Sequence, residues 1–248
     1  IGSSYEKVET TMKGVVKEMG DVSVVVNNAG TSIAGAFDTC DIEEYNRMFQ
    51  VNVLGSVFVT RALLSSMKKI SPDNGGRIIF VSSQVAMAAI YGYAAYASSK
   101  WALRGIAESL QMEVKPYNIY VSVAFPPDTN TPGYELEMQS KPEITKKLSE
   151  SGSVFSPEYV ASNIVSYSTV GYYNISIGLD GFLLRMLHPG MSPVNNLWEC
   201  VQPILLSPLS RIISMIYVIG WDQMCKEEAV KGNKAMNNAD VNMTKKKK

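Results

Sequence analysis

The chain has 248 residues, 46% of them hydrophobic and 19% charged, with 23 basic and 23 acidic side chains. That length suffices for one α/β domain with a full core. A net charge of zero without a basic stripe argues for no nucleic-acid partner. Three widely spaced cysteines, Cys40, Cys200 and Cys225, fit free thiols in a reducing compartment rather than a disulfide framework. His188 is the one histidine, which excludes multi-histidine zinc sites and gives a Ser-His-Asp triad a single choice of base.

Helix and strand patterns alternate along the chain. Val8, Met12, Val15, Val16 and Met19 recur at helical spacing and predict a helix over 5–19. The β-branched run 22–27 predicts a strand ending at Asn27-Asn-Ala-Gly30. Asp41 and Glu44 form a capping box for a helix running towards Lys69, with Asn52 inside it. Pro72-Asp-Asn-Gly-Gly76 reads as a turn and 76–82 as a buried strand. Residues 93–115 predict a helix stopped by Pro116, and 119–125 a strand ended by Pro126 and Pro127. The polar stretch 132–152 reads as an irregular segment, a lid over substrate or a plain surface loop. Ser156 and Pro157 open a further helix as cap and first residue, and 174–177 is a last strand. His188, before Pro189, reads as a loop residue.

Strands alternating with helices of this length argue a parallel sheet covered on both faces. Ligands in such sheets bind beyond the carboxyl ends of the strands. Asn27 to Gly30, Ser83 and Pro126 to Thr131 all follow strand ends, so they converge on one crevice.

Tyr96-Ala-Ser-Ser-Lys100 places a phenol and an ammonium one helical turn apart on the same face. A free tyrosine titrates near ~10 and serves poorly as an acid or base at neutral pH. A cation beside it favours the phenolate and brings it towards the working range. Ser83, at the end of an apolar strand, offers a hydroxyl to the oxygen of a reacting carbonyl.

The order and spacing of Asn27-Asn-Ala-Gly30, Asn52, Ser83 and Tyr96-Ala-Ser-Ser-Lys100 resemble the short-chain dehydrogenase/reductase superfamily over residues 3 to about 190. The resemblance implies a Rossmann-type, doubly wound parallel sheet. It also implies catalytic roles for Asn52, Ser83, Tyr96 and Lys100. Ser83 would polarise the carbonyl and Tyr96 would protonate the developing alkoxide. Lys100 would lower the tyrosine's pKa and bind the nicotinamide ribose, and Asn52 would hold a water linking Lys100 to solvent. Cofactor contacts fall on Asn27, Ala29, Gly30, Tyr96, Lys100, Pro126, Thr129 and Thr131. Pro127 stands where the superfamily has a glycine, which stiffens that turn.

Within the superfamily, Ala124-Phe-Pro-Pro-Asp-Thr-Asn-Thr-Pro-Gly133, the run 107–117 and Gly178-Leu-Asp-Gly-Phe182 are similar to the 3-ketodihydrosphingosine reductases. That resemblance implies NADPH-dependent reduction of a long-chain sphingoid ketone at the endoplasmic reticulum membrane, with the catalytic domain facing the cytosol. It is compatible with a homo-oligomer. The alternatives are a retinoid, steroid or general carbonyl reductase of the same superfamily, and a naturally truncated, non-catalytic membrane-associated protein.

Residues 1–190 read as a partial dinucleotide-binding domain, 191–225 as a hydrophobic membrane-associated segment and 226–248 as a polar, basic tail. The chain opens on a helix pattern without the Gly-rich turn the family places after its first strand. It is therefore expected to be the back part of a longer protein, weak in cofactor binding by itself. Residues 197–221 are apolar but contain Glu199, Pro203, Pro208 and Arg211. A spanning helix needs roughly 20 apolar residues, so a shallow anchor is expected, with a dimer-interface helix as the soluble alternative. Residues 226–244 are expected to be disordered. Lys245 to Lys248 match the positions of a dilysine retrieval signal or form a solvated basic tail.

Overall fold

The computed structural model describes residues 4–149, 152–190 and 192–245. Four strands form one sheet in the order β1 (Val24–Asn27), β2 (Gly76–Val81), β3 (Ile119–Phe125) and β4 (Asn174–Ser176), all parallel. They are the strands that the sequence pattern predicts, with slightly shorter ends.

The alternation of side chains along the strands builds two layers. On one face Val25, Ile78, Phe80, Val123 and Phe125 pack against Leu63 and Met67 of α3 (Gly55–Asn74) and Leu103 of α4 (Ala94–Val114). On the other, Ile79, Ala124 and Ile175 meet Val160 and Ile164 of α7 (Pro157–Val170). α7 starts as expected, with Ser156 Oγ accepting from the Tyr159 amide at 3.2 Å and Pro157 in the first turn. α1 (Tyr5–Met19) lies against α3, with Tyr5 edge-on to Phe58. Over β1 the second face is open, and Val24 and Val26 are half exposed there.

The helix expected from Asp41 towards Lys69 is longer and is interrupted. α2 (Ile42–Met48) begins at Asp41, whose carboxylate accepts from the Glu43 amide at 3.1 Å. A π-helical segment, Phe49–Leu54, joins it to α3. The turn expected at 72–76 begins later, because α3 carries Pro72 in its last turn and ends at Gly75, whose φ is +71°. Asn118 Nδ2 donates to the Ser71 and Pro72 carbonyls at 3.3 and 3.5 Å, satisfying acceptors at the helix end.

The segment expected to be irregular holds two helices, α5 (Pro132–Ser140) and α6 (Glu143–Ser149). Thr131 Oγ1 caps α5 by accepting from the Tyr134 amide at 3.2 Å, and Pro132 follows at the first helical position. Ile144, Thr145 and Leu148 of α6 are buried, so this segment is anchored by packing.

After β4 come α8 (Gly178–Leu187) and the long α9 (Leu197–Lys245). The stretch 226–244, expected to be disordered, continues α9, and the expected boundary at 225/226 falls inside this helix. No proline follows Pro208, and Glu227 stands four residues before Lys231, a pairing that supports helix. Within α9, Leu197–Lys231 contains an 18-residue window with a mean hydropathy of 1.6 that is almost wholly unburied. At about 1.5 Å per residue those 35 residues exceed a ~30 Å bilayer core. By length and composition the segment suffices to cross a membrane, more than the shallow anchor expected from 212–221 alone. Glu199 does not stand as a free charge: Arg185 of α8 meets it at 3.3 Å. Ile42–Asp73 passes the same length and hydropathy test, but it packs Met48, Leu63 and Met67 into the domain core. The residues 246–248 of the lysine tail lie outside the described residues.

Candidate active site

The carboxyl ends of β1, β2 and β3 open into a cleft of about 1040 Å³. Gly30, Ser83, Tyr96, Lys100, Pro126, Thr129 and Thr131 all reach its walls, as the strand-end argument expects. Leu183, Leu184 and Leu187 of α8 and Ile213, Tyr217 and Trp221 of α9 complete an apolar side.

Adjacent serines at the end of β2 do different things. Ser82, buried, donates its hydroxyl to the Lys100 carbonyl at 2.9 Å and so ties β2 to α4. Ser83 opens a 3-10 turn, Gln84–Ala86, where its Oγ accepts from the Val85 amide at 3.3 Å, and its hydroxyl lies close enough to that of Tyr96 to pull the phenol's pKa down. The Gln84 amide donates to the Pro126 carbonyl at 3.1 Å, fixing the two strand-end loops against each other.

Lys100 is buried, and its Nζ donates to the Val81 carbonyl at 2.9 Å, lying 5.7 Å from the centre of the Tyr96 ring. Burial pulls its pKa down to about 8. The expectation that this ammonium brings Tyr96 towards neutrality is not what the geometry gives. Burial is the main cause that pushes the Tyr96 phenol up, the Ser83 hydroxyl pulls it back in part, and the carboxylates of Glu137 and Asp128 push it further. Lys100, whose Nζ donates to the Val81 carbonyl, is not among the groups that lower it.

Asn52 owes its place to the π segment that carries it. Its Oδ1 accepts from the Thr31 amide at 2.8 Å, and its Nδ2 donates to the Thr31 carbonyl and to Ser99 Oγ, both at 2.9 Å. Both amide protons are therefore engaged by protein. Its backbone carbonyl accepts from Ser56 Oγ at 2.9 Å. The side chain thus clamps the Thr31 loop to α4 and has no free donor for a water. Next to it, a Cβ at Gly30 would stand 3.2 Å from Asn52 Oδ1 and 3.3 Å from Lys100 Nζ. A side chain there would crowd the lysine, so the glycine serves the close approach.

Two of the expected cofactor contacts, Asn27 and Ala29, are not on the cleft wall. Asn27 is buried and donates Nδ2 to Thr60 Oγ1 of α3 at 2.9 Å, so it braces the sheet, while its neighbour Asn28 lines the cleft. Ala29 is exposed and is not among the lining residues. Thr129 donates its hydroxyl to the Pro127 carbonyl at 2.9 Å, and Thr131 is occupied as the α5 cap. His188 makes no catalytic pairing: its Nδ1 lies 3.1 Å from the Leu184 carbonyl, and its ring stands edge-on to Trp101.

A polar group escapes the motif reading. Glu137 of α5 accepts from the hydroxyls of Tyr93 and Ser32, and Lys141 Nζ stands 3.7 Å from it. Asp128 lines the same cleft. Asp128 falls in the quoted 124–133 run, but only the folding of α5 shows that Glu137 and Lys141 join it.

The chain matches the family model described as short chain dehydrogenase over residues 2–141. It is 43% identical over 226 residues to the 3-ketodihydrosphingosine reductase of Bos taurus, covering 91% of this chain and 67% of that protein. It is 44% identical to the 3-dehydrosphinganine reductase of Danio rerio with the same coverage, and 38% identical to the 3-ketodihydrosphingosine reductase of Dictyostelium discoideum, covering 85% and 62%. A solved short-chain dehydrogenase from Streptomyces avermitilis superposes with a TM-score of 0.60 at 25% identity, covering 73% of this chain and 70% of that one. The 3-ketoacyl-(acyl-carrier-protein) reductase of Brucella melitensis, solved with NADH, shares the fold with a TM-score of 0.60 at 22% identity, covering 68% of each chain.

Proposed function

The chain belongs to the short-chain dehydrogenase/reductase family, and within it to the 3-ketodihydrosphingosine reductases; on that premise we propose that it reduces 3-ketodihydrosphingosine to dihydrosphingosine with NADPH, in de novo sphingolipid synthesis. The observation that carries the reading is the pairing of the Ser83 and Tyr96 hydroxyls on the wall of a large cleft, with Lys100 beside them.

The residues present fit a nicotinamide cofactor. Lys100 donates to Val81 and lines the cleft, so an ammonium with three protons keeps donors for ribose hydroxyls. Gly30 leaves the backbone bare beside it, and Asn28 faces the same space. A bound nicotinamide would supply hydride to the carbonyl carbon. Ser83 Oγ then holds the carbonyl oxygen, and Tyr96 gives it a proton as negative charge develops there. The phenol is protonated at neutral pH and has that proton to give, while burial, by holding its pKa above the ordinary value, makes it a weaker donor than a free tyrosine. Asn52 acts at one remove, by fixing Thr31 and the helix that carries Ser99 and Lys100.

α9 supports a membrane setting, with an apolar exposed surface that includes Ile204, Leu205, Ile212, Ile216 and Ile219. A product with a long alkyl chain is handled at a bilayer without carrying that chain through water. We propose that the protein sits at the endoplasmic reticulum membrane with its catalytic cleft towards the cytosol.

The test is NADPH oxidation by the purified full-length protein with 3-ketodihydrosphingosine, with NADH run in parallel and Tyr96→Phe as control. Turnover with NADPH that falls about 10²–10⁴-fold in the mutant is expected. A folded, NADPH-binding protein that leaves this ketone untouched rules the substrate out and redirects the search to retinoid and steroid ketones.

A further inference from the structure

Beside the Ser83–Tyr96 pair the cleft holds charged groups that the reduction itself does not use. Lys141, 3% exposed, borders the cleft, and its Nζ has no hydrogen-bond partner among the described residues; Glu137 Oε1 stands 3.7 Å from it, and the rings of Tyr93 and Tyr134 lie 5.3 and 6.0 Å away. Glu137 already accepts from Tyr93 and Ser32. Asp128, half-buried, is not in ion-pair contact with Lys141, and no described donor hydrogen-bonds its carboxylate. Its backbone is fixed: the Phe155 amide donates to the Asp128 carbonyl at 2.9 Å, and Pro126, two residues earlier, is tied to Gln84. So a carboxylate without a hydrogen-bond donor and a buried ammonium that has an ion-pair neighbour but makes no hydrogen bond border one cavity, close enough to Tyr96 for the charges of Asp128 and Glu137 to act on its phenol.

Unpaired buried polar groups are costly unless a ligand satisfies them. A carboxylate asks for a cation, and a buried ammonium asks for a neutral oxygen. We propose that Asp128 receives the ammonium group adjacent to the substrate's ketone, and that Lys141 donates to the hydroxyl next to that ammonium, so that these residues select an amino-alcohol head. This rests on the reductase reading above and deepens it: Asp128 is the specificity residue that separates an α-amino ketone from a plain long-chain ketone. A site built to pair a charged group rejects the analogue that lacks it. Burial, opposed by Lys141 and reinforced by Glu137, raises the Asp128 carboxyl's pKa, and an arriving cation relieves that cost.

The experiment compares kcat/KM of the full-length protein for the long-chain α-amino ketone and for the matched hydroxy ketone lacking the amine, in wild type, Asp128→Asn and Asp128→Glu. Wild type is expected to prefer the amino ketone. D128N should shrink the preference at least tenfold, and D128E should keep more of it. On wild type alone, the long-chain amino alcohol should inhibit more strongly than its des-amino counterpart. Thermal melting checks that the variants fold, and the inhibition pair decides the matter if D128N does not. A preference unchanged in folded D128N, or wild type treating amine and des-amine ligands alike, overturns the assignment of Asp128 while leaving ketone reduction in place. Failure of wild type on both ketones brings down the reductase reading and this inference together.

Discussion

Ser82 donates its hydroxyl to the Lys100 carbonyl at 2.9 Å, while the Ser83 hydroxyl beside it acts on the Tyr96 phenol. One serine holds the helix to the sheet and the next faces the cleft. Ser82→Ala should therefore lower stability by about 1–3 kcal/mol, the cost of a buried carbonyl left without its donor, with turnover per folded molecule largely kept. Ser83→Ala should leave the melting temperature nearly unchanged and reduce kcat by about 10²–10³-fold, the usual loss for removing a donor to a developing oxyanion. Melting curves and kinetics on the two mutants separate these cases, and an exchanged pattern would reassign the pair.

Lys100 gives stability a particular pH dependence. Its folded pKa of about 8 lies below the ordinary 10.5, so the unfolded chain binds more protons between those values. Stability from this group then rises with pH from about 8 to 10.5 and is lost as pH falls through 8. Lys100→Met removes the titration. The wild-type stability minus that of the mutant, measured by denaturant melts at pH 7 and pH 10, should increase with pH by on the order of 3 kcal/mol or less. A flat difference would mean that the amine is solvated in the folded protein.

Asn52 joins the Thr31 loop to α4 through both of its amide protons and its oxygen. Asn52→Ala strands those partners and should cost about 1–3 kcal/mol for each one left buried and unpaired. Asn52→Asp keeps the acceptor for the Thr31 amide and loses two donors, so it should fall between wild type and Ala. Because Thr31 and Gly30 border the cleft, NADPH affinity should weaken in the same order, read by fluorescence titration.

The alternation of strands and helices made the sheet legible, since every strand carries a β-branched or apolar run bounded by turn residues. Tyr96 and Lys100 were legible because four residues in a helix mean one face. What the one-dimensional pattern lacked was direction at the side-chain level. Nothing in Asn27-Asn-Ala-Gly30 says that Asn27 turns to Thr60 while Asn28 faces the cleft, and nothing in Tyr96-Ala-Ser-Ser-Lys100 says that the amine will choose the Val81 carbonyl. The π segment was hidden because α2 and α3 each keep ordinary spacing. The two helices after Thr131 are hidden because their polar residues have little amphipathic contrast.

α9 offers a test of the membrane reading. Ile212, Ile216 and Ile219 lie at exposed positions spaced four and three apart, along one face. Replacing all three with Glu should reduce the protein's flotation with phosphatidylcholine vesicles at least tenfold, because each charge at the centre of a spanning helix costs about 2.5–3.5 kcal/mol on insertion scales. Unchanged flotation would assign the exposed apolar face of α9 to a protein contact, such as a second copy of the chain.

The π segment at Phe49–Leu54 also constrains how this protein can change over time. The wider winding there takes up about one residue more than α-helical winding needs for the same rotation, so removing one residue would return the junction to regular winding and leave α3 in nearly its present phase. Leu63 and Met67 would keep their places in the sheet interface. Asn52, which the wider turn carries, would lose its position between Thr31 and Ser99. A single-codon deletion there therefore acts on the site and spares the sheet packing.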